Sequence, residues 1–294
     1  MIRLFGLKTS LEKQVKHMSK PLNITIIGHG FVGKAIDYAF QYNVNKQIID
    51  PKINVSLSDV RLNADVTFVC VPTPMHENGQ CDVTILADVI KQIKQRKSGL
   101  IVIKSTIPPD QIENLFNGSA KVRMVYNPEF LTERNANEDI LNPFMHVFGG
   151  DREATERLEN IYKEYSICKP CQVFHVSQTE ASFIKYGINT FLATKLTWFN
   201  ELYDTVENFG GNFGKITNAI GSDPRIGHSH TRVPGFDNRR GFGGACFPKD
   251  VSAFINFTTH MPILEYVMNR NNRYRLEYEK DNREIEQNVS YNNE

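Results

Sequence analysis

Short apolar segments alternate with helical patterns over the first part of the chain. Six segments are predicted to be strands, at residues 23–27, 46–50, 65–71, 100–104, 121–126 and 146–148. Nearly every position in them is apolar, as in NITIIG and LIVIK, which is typical of strands that helices cover on both faces. The alternation predicts a doubly wound α/β unit with a parallel sheet over residues 21–176.

The pattern changes after Val176, where apolar residues recur at intervals of three and four. This spacing predicts one long helix. Ser177 and Glu180 form a capping box at its start, and Gly210 with Gly211 ends it. At about 1.5 Å per residue the helix would be roughly 45 to 50 Å long. We therefore expect it to link two units and to bury part of its surface in a homodimer.

The remaining chain is predicted to be mostly helical. Residues 177–270 are expected to form the long helix and a small all-helical dimerisation domain, with further helices at 213–220 and 250–269. The charged, Asn-rich residues 271–294 have little to bury and are expected to fray. Residues 1–20 precede the regular alternation and are expected to be a poorly ordered extension.

Composition and charge narrow the classes of partner. The 294 residues suffice for two domains, and 34 Lys and Arg against 33 Asp and Glu give a formal net charge of +1. Such a chain has no global field to gather nucleic acid or an anionic membrane. Its apolar runs are far shorter than the roughly 20 residues that cross a bilayer. Five cysteines without a signal-peptide pattern predict a cytoplasmic protein with free thiols.

A glycine motif, G-x-G-x-x-G, follows the first predicted strand directly. It contains Gly28, Gly30, Phe31, Val32 and Gly33. Backbone N–H groups at the start of the next helix can bind a pyrophosphate, although an ordinary glycine-rich turn is the alternative. Asp50 ends the second strand, where a carboxylate accepts hydrogen bonds from ribose hydroxyls and repels a 2′-phosphate. The pattern predicts a Rossmann-type dinucleotide site with NAD as the cofactor.

Cys246 is the best candidate for a nucleophile. It lies in the polar, glycine-rich stretch GFGGACFPKD, whereas Cys70 lies in an apolar run that is typical of an inert core thiol. A free thiol has a pKa near 8.5, so a nearby cation or helix start must raise the fraction of thiolate at neutral pH.

Lys185 and Asn189 are four residues apart on the predicted long helix, so both project from one face. Such a pair alone is more typical of a polar stripe that faces solvent. Only a position close to other reactive groups would make it part of a site.

No metal site is predicted. Cys168 and Cys171 form a single C-x-x-C pair without the further ligands that zinc needs, so they are expected to be surface thiols. His228 and His230 are expected to be polar loop residues.

Seven motifs in one order resemble the UDP-glucose/GDP-mannose dehydrogenase family, from Asn23 to Asn269. They are GHGFVG at 28–33, VPTP at 71–74, KSTIPP at 104–109, NPEFL at 127–131, KYGINTFLATK at 185–195, DPRIG at 223–227 and GFGGACFPKD at 241–250. Any one motif could occur by chance, but the ordered series is highly specific.

This resemblance implies NAD-dependent oxidation of the primary alcohol of a sugar nucleotide to a carboxylate. UDP-glucose is the first choice of substrate, and GDP-mannose or a UDP-N-acetylhexosamine is the alternative. In the family, two hydrides leave in succession, and the aldehyde between them is held as a thiohemiacetal and then a thioester. By resemblance, Cys246 would be that nucleophile.

The resemblance also implies roles for residues around Cys246. Lys185 and Asn189 would stabilise the developing oxyanion, and Lys185 or Asp250 with a water would manage the proton of the alcohol. Glu129 would direct the hydrolytic water, and Thr106 would place a hydroxyl near the same centre.

Binding residues follow from the same resemblance. The glycine motif and Asp50 would hold NAD, with Thr73 and Thr106 along its path. Arg225 would reach the substrate or the site of a neighbouring subunit. Besides Glu129, Lys185 and Asn189, the substrate would contact Phe130, Leu131, Glu133, Gly243 and Gly244.

Two departures from the family pattern affect substrate binding. Family members continue past the helix ending near Asn269 into a third domain that helps to hold the nucleotide, so the chain is expected to be a short form. Arg232, Arg239 and Arg240 could supply phosphate contacts or could be solvated surface charge. Arg134 stands where glycine is common in the family.

Two other functions remain open. An NAD-dependent dehydrogenase for a small hydroxy acid can also use a Lys/Asn pair on a long helix, although it would not need Cys246. A non-catalytic NAD-binding remnant, or a subunit that needs a partner chain, is the second alternative.

Overall fold

The computed structural model describes residues 20–96, 98–117, 123–132 and 134–291. Except for Lys20, the predicted N-terminal extension lies outside the described residues. No helix in the described part of the chain is long and apolar enough to span a membrane.

Seven strands form one sheet in the order β2-β1-β3-β4-β5-β6-β7. The strands are β1 (Leu22–Ile27), β2 (Val44–Ile49), β3 (Val66–Val69), β4 (Leu100–Ile103), β5 (Met124–Tyr126), β6 (Met145–Gly149) and β7 (Gln172–Val176). Neighbouring strands are parallel except β5 and β6, which pair antiparallel through Tyr126 and Gly149. The doubly wound α/β fold is confirmed, whereas the expectation of a fully parallel sheet is wrong at this one pair.

Ten α-helices surround and follow the sheet in the described residues. They are α1 (Phe31–Ala39), α2 (Thr84–Lys94), α3 (Ile112–Phe116), α4 (Ala136–Leu141), α5 (Arg152–Tyr165), α6 (Gln178–Asn208), α7 (Phe213–Gly221), α8 (Phe247–Phe257), α9 (Ile263–Arg275) and α10 (Asn282–Glu286).

Both faces of the sheet are buried, which explains why its central strands are apolar at successive positions. Ile27 and Val69 pack into the cluster on one face, whereas Ile26 and Phe68 pack into the cluster on the other. Successive side chains of a strand point to opposite faces, so each of these strands needs apolar residues throughout.

Helix α6 is the long helix that the periodicity predicts. It has 31 residues and begins after Ser177, where the capping box with Glu180 is present. Gly210 follows its end with a φ of +68°, a left-handed conformation that glycine adopts at little cost. The predicted start and end are therefore confirmed.

The prediction of one helix over residues 250–269 is wrong. Two helices, α8 and α9, occupy this part of the chain, and Thr258 between them is extended. Pro262 precedes α9, and a proline disfavours helical backbone at the residue before it. The apolar periodicity continues across this break, so the periodicity alone does not reveal that one helix ends and another begins.

The expected fraying of residues 271–294 is also wrong for the part that is described. Helix α9 continues to Arg275, helix α10 follows, and Val289 and Tyr291 are buried. Arg275 and Glu284 form an ion pair of 3.0 Å with both side chains 1% exposed. A charged composition predicts a solvated segment, because composition alone does not show which charges pair with each other inside the fold.

Candidate active site

The loops that carry the sequence motifs meet at one edge of the sheet. The glycine motif follows β1, VPTP follows β3, KSTIPP begins at the end of β4, and NPEFL follows β5. Because these four strands are parallel, their carboxyl ends lie side by side, the usual position of ligand sites in such sheets.

Two glycines of the motif pack tightly against the backbone, whereas the third, at the start of α1, has free space beside it. Gly28 has a φ of +87°, and a Cβ there would lie 2.6 Å from the carbonyl oxygen of Cys70. A Cβ on Gly33 would lie 1.9 Å from the carbonyl oxygen of Gly28. Gly30, the residue before α1, has no heavy atom within 4 Å of such a Cβ. This space at a helix N-terminus suits the pyrophosphate of a dinucleotide.

Asp50 is fixed directly beside this motif. One carboxylate oxygen accepts a hydrogen bond of 2.5 Å from the N–H of His29, and the other accepts one of 2.7 Å from the N–H of Lys52. This carboxylate would repel a ribose 2′-phosphate, whereas ribose hydroxyls can donate hydrogen bonds to its remaining lone pairs. The arrangement fits NAD.

Replacing Asp50 with asparagine is expected to raise the KM for NAD about ten-fold and to reduce the preference for NAD over NADP. The substitution removes a charge-assisted hydrogen bond to the ribose, which contributes about 1.5 kcal/mol or more, and it removes the repulsion of a 2′-phosphate. Steady-state kinetics with both cofactors would measure this, with Asp88→Asn on the exposed face of α2 as the control. An unchanged cofactor preference in Asp50→Asn would contradict the assignment.

Lys185 of α6 is buried against the NPEFL loop. Its Nζ donates to the backbone carbonyl of Glu129 at 2.6 Å and lies 3.3 Å from a carboxylate oxygen of the same residue. Burial lowers the pKa of Lys185, but Glu129, Asp250 and Cys246 raise it by more, so the pKa is above its ordinary value. The side chain is therefore an ammonium group, which suits stabilisation of an oxyanion better than removal of a proton.

Asp250 is held by two donors. Asn189 Nδ2 donates to one carboxylate oxygen at 2.6 Å, and Lys249 Nζ donates to the other at 2.7 Å. Burial lowers the pKa of Lys249, but the charges of Asp250, Cys81 and Cys246 and the hydrogen bond to Asp250 together outweigh this, so the pKa is raised. Lys249 was not among the predicted site residues, although its position next to Asp250 in the FPKD motif is the signal that could have identified it.

Cys246 immediately precedes helix α8 and is half-buried. It is close enough to both buried lysines to raise the pKa of Lys185 and of Lys249. Positive charge and a helix N-terminus are the surroundings in which cysteines act as nucleophiles. Cys70 differs, because burial raises the pKa of its thiol to about 12.

Five of the six predicted catalytic residues therefore meet. Lys185 donates a hydrogen bond to Glu129, and Asn189 donates one to Asp250. The charge of Cys246 raises the pKa of Lys185. The sixth, Thr106, lies with Thr73 around Cys81, whose Sγ lies 3.7 Å from the carbonyl of Thr73 and 3.9 Å from that of Thr106.

The predicted substrate contacts divide into three groups. Phe130 lies beside the cluster, with the Nζ of Lys185 5.5 Å from its ring centroid, and Leu131 donates its N–H to Glu129. Gly243 and Gly244 lie in the loop before Cys246. Arg225 lies at the surface, where its side chain is 86% exposed and paired with Asp223. Glu133 lies outside the described residues.

The arginines of the loop before Cys246 are not equivalent. Arg240 bonds to Asn200 and Asp204, and Arg239 donates to the backbone of Glu279. Arg232 and Arg134 instead flank the exposed ring of Phe236, with guanidinium carbons 4.7 and 3.9 Å from its centroid. In the described part of the chain, neither of these two guanidinium groups has a carboxylate partner. Arg134 was noticed in the sequence only as a departure from the family pattern.

Among the described residues, the remaining cysteines and histidines do not gather into a metal-binding group. No group of three possible metal-binding side chains occurs among the described residues. Cys168 is not the surface thiol that was expected, because it packs partly buried against the core, and burial raises its pKa. His230 packs on Phe247, and burial lowers its pKa.

Two family models match the chain. Residues 44–166 match the NAD binding domain of the UDP-glucose/GDP-mannose dehydrogenase family, and residues 179–273 match the central domain of the same family. The match supports NAD as the cofactor of the site at the glycine motif.

Similar proteins agree with this match. A UDP-glucose 6-dehydrogenase of Rickettsia felis is 33% identical over 276 residues, which cover 80% of this chain and 60% of the relative. The chain thus spans about 60% of the length of that relative. A UDP-glucose dehydrogenase structure from Pyrobaculum islandicum superposes with a TM-score of 0.73 at 26% identity, over 87% of this chain and 69% of that chain.

A second kind of dehydrogenase shares the fold alone. A 3-hydroxyisobutyrate dehydrogenase of Mycobacterium tuberculosis superposes with a TM-score of 0.63 at 16% identity, over 84% of this chain and 91% of that chain. This likeness explains why a hydroxy-acid dehydrogenase was an alternative from sequence. With both family models and the closely grouped site residues in agreement, the chain belongs to the UDP-glucose/GDP-mannose dehydrogenase family.

Proposed function

We propose that the protein oxidises the primary alcohol of a sugar nucleotide to a carboxylate, with UDP-glucose as substrate and NAD as acceptor. The observation that carries this proposal is the position of Cys246 at the start of α8, within electrostatic reach of Lys185, whose ammonium group binds the NPEFL loop at the edge of the sheet that holds the cofactor loops. A two-electron alcohol dehydrogenase has no need of such a thiol.

The reaction begins with the hydroxyl group of the sugar. Asp250 accepts its proton through a water molecule. Two molecules of NAD, bound in succession at the glycine motif, would supply the hydride acceptors for this oxidation and for the second one. The thiolate of Cys246 then adds to the aldehyde carbon, and the carbonyl oxygen becomes an oxyanion. Lys185 and Asn189 stabilise that oxyanion, which is worth most in a site that excludes water.

The second half of the reaction releases the acid. The thiohemiacetal loses its second hydride to become a thioester, so the aldehyde never leaves the protein. Water then attacks the thioester carbon, the C–S bond breaks, and the thiolate of Cys246 is restored. Glu129 suits the role of directing this water, since its carboxylate is fixed by Leu131 and Lys185.

Arg232 and Arg134 are proposed to hold the diphosphate of the nucleotide. Both lie on loops that carry predicted substrate contacts, and both guanidinium groups are exposed beside Phe236. Guanidinium groups bind phosphate oxygens in a bidentate manner, and an exposed aromatic ring offers a surface for a base. Arg240 is already engaged by Asp204 and is a weaker choice.

A second copy of the chain is the proposed partner, bound along α6. Phe191 and Trp198 are seven residues apart, so they share one face of the helix, and their side chains are 67% and 52% exposed. Large aromatic side chains grouped on one surface are typical of an interface. No two of the five cysteines form a disulfide, which suits the cytoplasm that we propose as the compartment.

Trp198→Glu is expected to convert the protein from a dimer to a monomer. A charge at the centre of the proposed interface would be buried without a partner, which costs several kcal/mol. Sedimentation equilibrium should then give 33.6 kDa for the variant and twice that mass for the wild type. The control is Tyr42→Glu, at an exposed aromatic residue outside α6, which should remain dimeric. A wild type of 33.6 kDa would contradict the proposal.

The substrate is tested by measuring NADH formation with UDP-glucose, GDP-mannose and two UDP-N-acetylhexosamines separately. We expect the highest kcat/KM with UDP-glucose. A higher value with another sugar nucleotide would correct the substrate and keep the chemistry. Absence of turnover with all four, despite measurable NAD binding, would favour the non-catalytic alternative.

A further inference from the structure

Residues 281–291, here called the C-terminal strap, lie across the loops of the cofactor site. The carbonyl oxygen of Gln287 accepts a hydrogen bond of 2.9 Å from the N–H of Met75, just after the VPTP motif. Glu286 pairs with Lys52 at 3.1 Å, two residues beyond Asp50. The guanidinium carbon of Arg283 lies 4.6 Å from the ring centroid of Phe31 in the glycine motif. The strap therefore contacts three segments that surround the cofactor site.

The same strap reaches the loop that leads to Cys246. One carboxylate oxygen of Glu284 accepts a hydrogen bond of 2.9 Å from the N–H of Gly244, two residues before Cys246. Gly244 has a φ of +77°, and Gly241 in the same loop has a φ of +72°. Glycine adopts this left-handed conformation readily, but it adopts other conformations just as readily. The loop therefore needs contacts from elsewhere in the fold to hold its backbone in place.

Glu284 is itself fixed from several sides. The oxygen that binds Gly244 also accepts from Arg275 at 3.0 Å and from the hydroxyl of Tyr291 at 2.7 Å. The other oxygen accepts from the N–H of Asp281 at 2.9 Å. Burial raises the pKa of Glu284, but these donors lower it by more, so the carboxylate is charged and bound on both oxygens.

Arg275 closes the loop from the other side. A Cβ on Gly243 would lie 2.0 Å from a terminal nitrogen of Arg275, so the backbone of the loop packs directly against the guanidinium group. Arg275 also binds Asp237 at 2.7 Å, which lies earlier in the same loop. The ion pair of Arg275 and Glu284 thus contacts the loop at three separate residues.

We infer that Glu284 is a positioning residue for Cys246, which fixes the glycine loop before the nucleophile and links it through the strap to the cofactor loops. Its role in the reaction rests on the proposed function, whereas the restraint on the loop stands on the contacts alone. Glu284 touches none of the reacting atoms and acts through the backbone of Gly244.

Hydrogen exchange of the peptide that spans residues 241–247 tests the restraint without any substrate. In the full chain, Glu284→Ala should exchange about ten-fold faster in this peptide than the wild type, the factor expected for loss of a hydrogen bond to a charged group. Glu284→Gln keeps an oxygen that can accept from Gly244, so it should lie closer to the wild type. Glu277→Gln removes an exposed carboxylate ahead of the strap and should change nothing.

Turnover distinguishes positioning from general stability. The kcat of Glu284→Ala should fall about ten-fold with the KM for the sugar nucleotide changed less than three-fold, and Glu284→Gln should recover most of it. If Glu284→Ala does not fold, Tyr291→Phe, which removes one donor to Glu284, should speed exchange of the same peptide a few-fold. A folded Glu284→Ala protein that exchanges at the wild-type rate, or that retains the wild-type kcat, would overturn the inference. If the wild type shows no turnover but the 241–247 peptide exchanges faster in Glu284→Ala, only the proposed function is overturned.

Discussion

Replacing Cys246 with alanine is expected to abolish formation of the sugar acid, with kcat falling on the order of 10⁴-fold or more, as removal of an enzyme nucleophile generally does. Without the thiolate the aldehyde has no covalent hold, and the second hydride cannot leave from a thiohemiacetal. The amount of sugar acid formed from UDP-glucose would measure the loss.

A thiol elsewhere in the chain provides the control for this result. Cys171→Ala changes a half-buried cysteine at the start of β7, far along the chain from the site loops, and should leave kcat within about two-fold, as surface substitutions away from a site generally do. Cofactor binding by Cys246→Ala should match the wild type, because the glycine motif and Asp50 are untouched. Full turnover in Cys246→Ala would contradict the nucleophile assignment.

Lys185→Met is expected to lower kcat by about 10² to 10³-fold, the range found when a donor to a developing oxyanion is removed. Methionine keeps the apolar stem and length but removes the ammonium group. Because the variant also leaves Glu129 buried beside an uncharged side chain, it should lose about 3 to 5 kcal/mol of stability. Thermal unfolding must therefore be measured with the kinetics, at a temperature where the variant is folded.

A matched lysine on the same helix separates the two effects. Lys195 lies further along α6, where its Nζ donates to the backbone carbonyls of Ile226 and Gly227. Lys195→Met should retain kcat. An equal loss in both variants would show that the charge of Lys185 has no specific role in the reaction.

The sequence allowed the sheet, the long helix and NAD as the cofactor to be predicted, because these depend on local patterns. Strands buried on both faces are apolar at successive positions, and a capping box such as that of Ser177 lies within four residues. The place of Asp50 follows from the strand that it ends. Strand β7 was missed because its residues alternate between exposed and half-buried, so it lacks a continuous apolar run.

Contacts between distant residues account for what could not be predicted. Glu284 and Arg275 appear in the sequence as ordinary charges of a polar tail, and only the fold shows that each neutralises the other. The pairing of the exposed Arg225 side chain with Asp223 is likewise visible only in the structure. Lys185 and Asn189 were more typical of a solvated stripe until Glu129 and Asp250 were found against them.

The most direct test of the central claim is the number of NADH molecules formed for each molecule of UDP-glucose consumed to completion. A covalent four-electron oxidation through Cys246 predicts two NADH and one sugar acid, with no aldehyde trapped by an added hydroxylamine. One NADH for each sugar, with free aldehyde as the product, would contradict the account and leave a simple two-electron dehydrogenase.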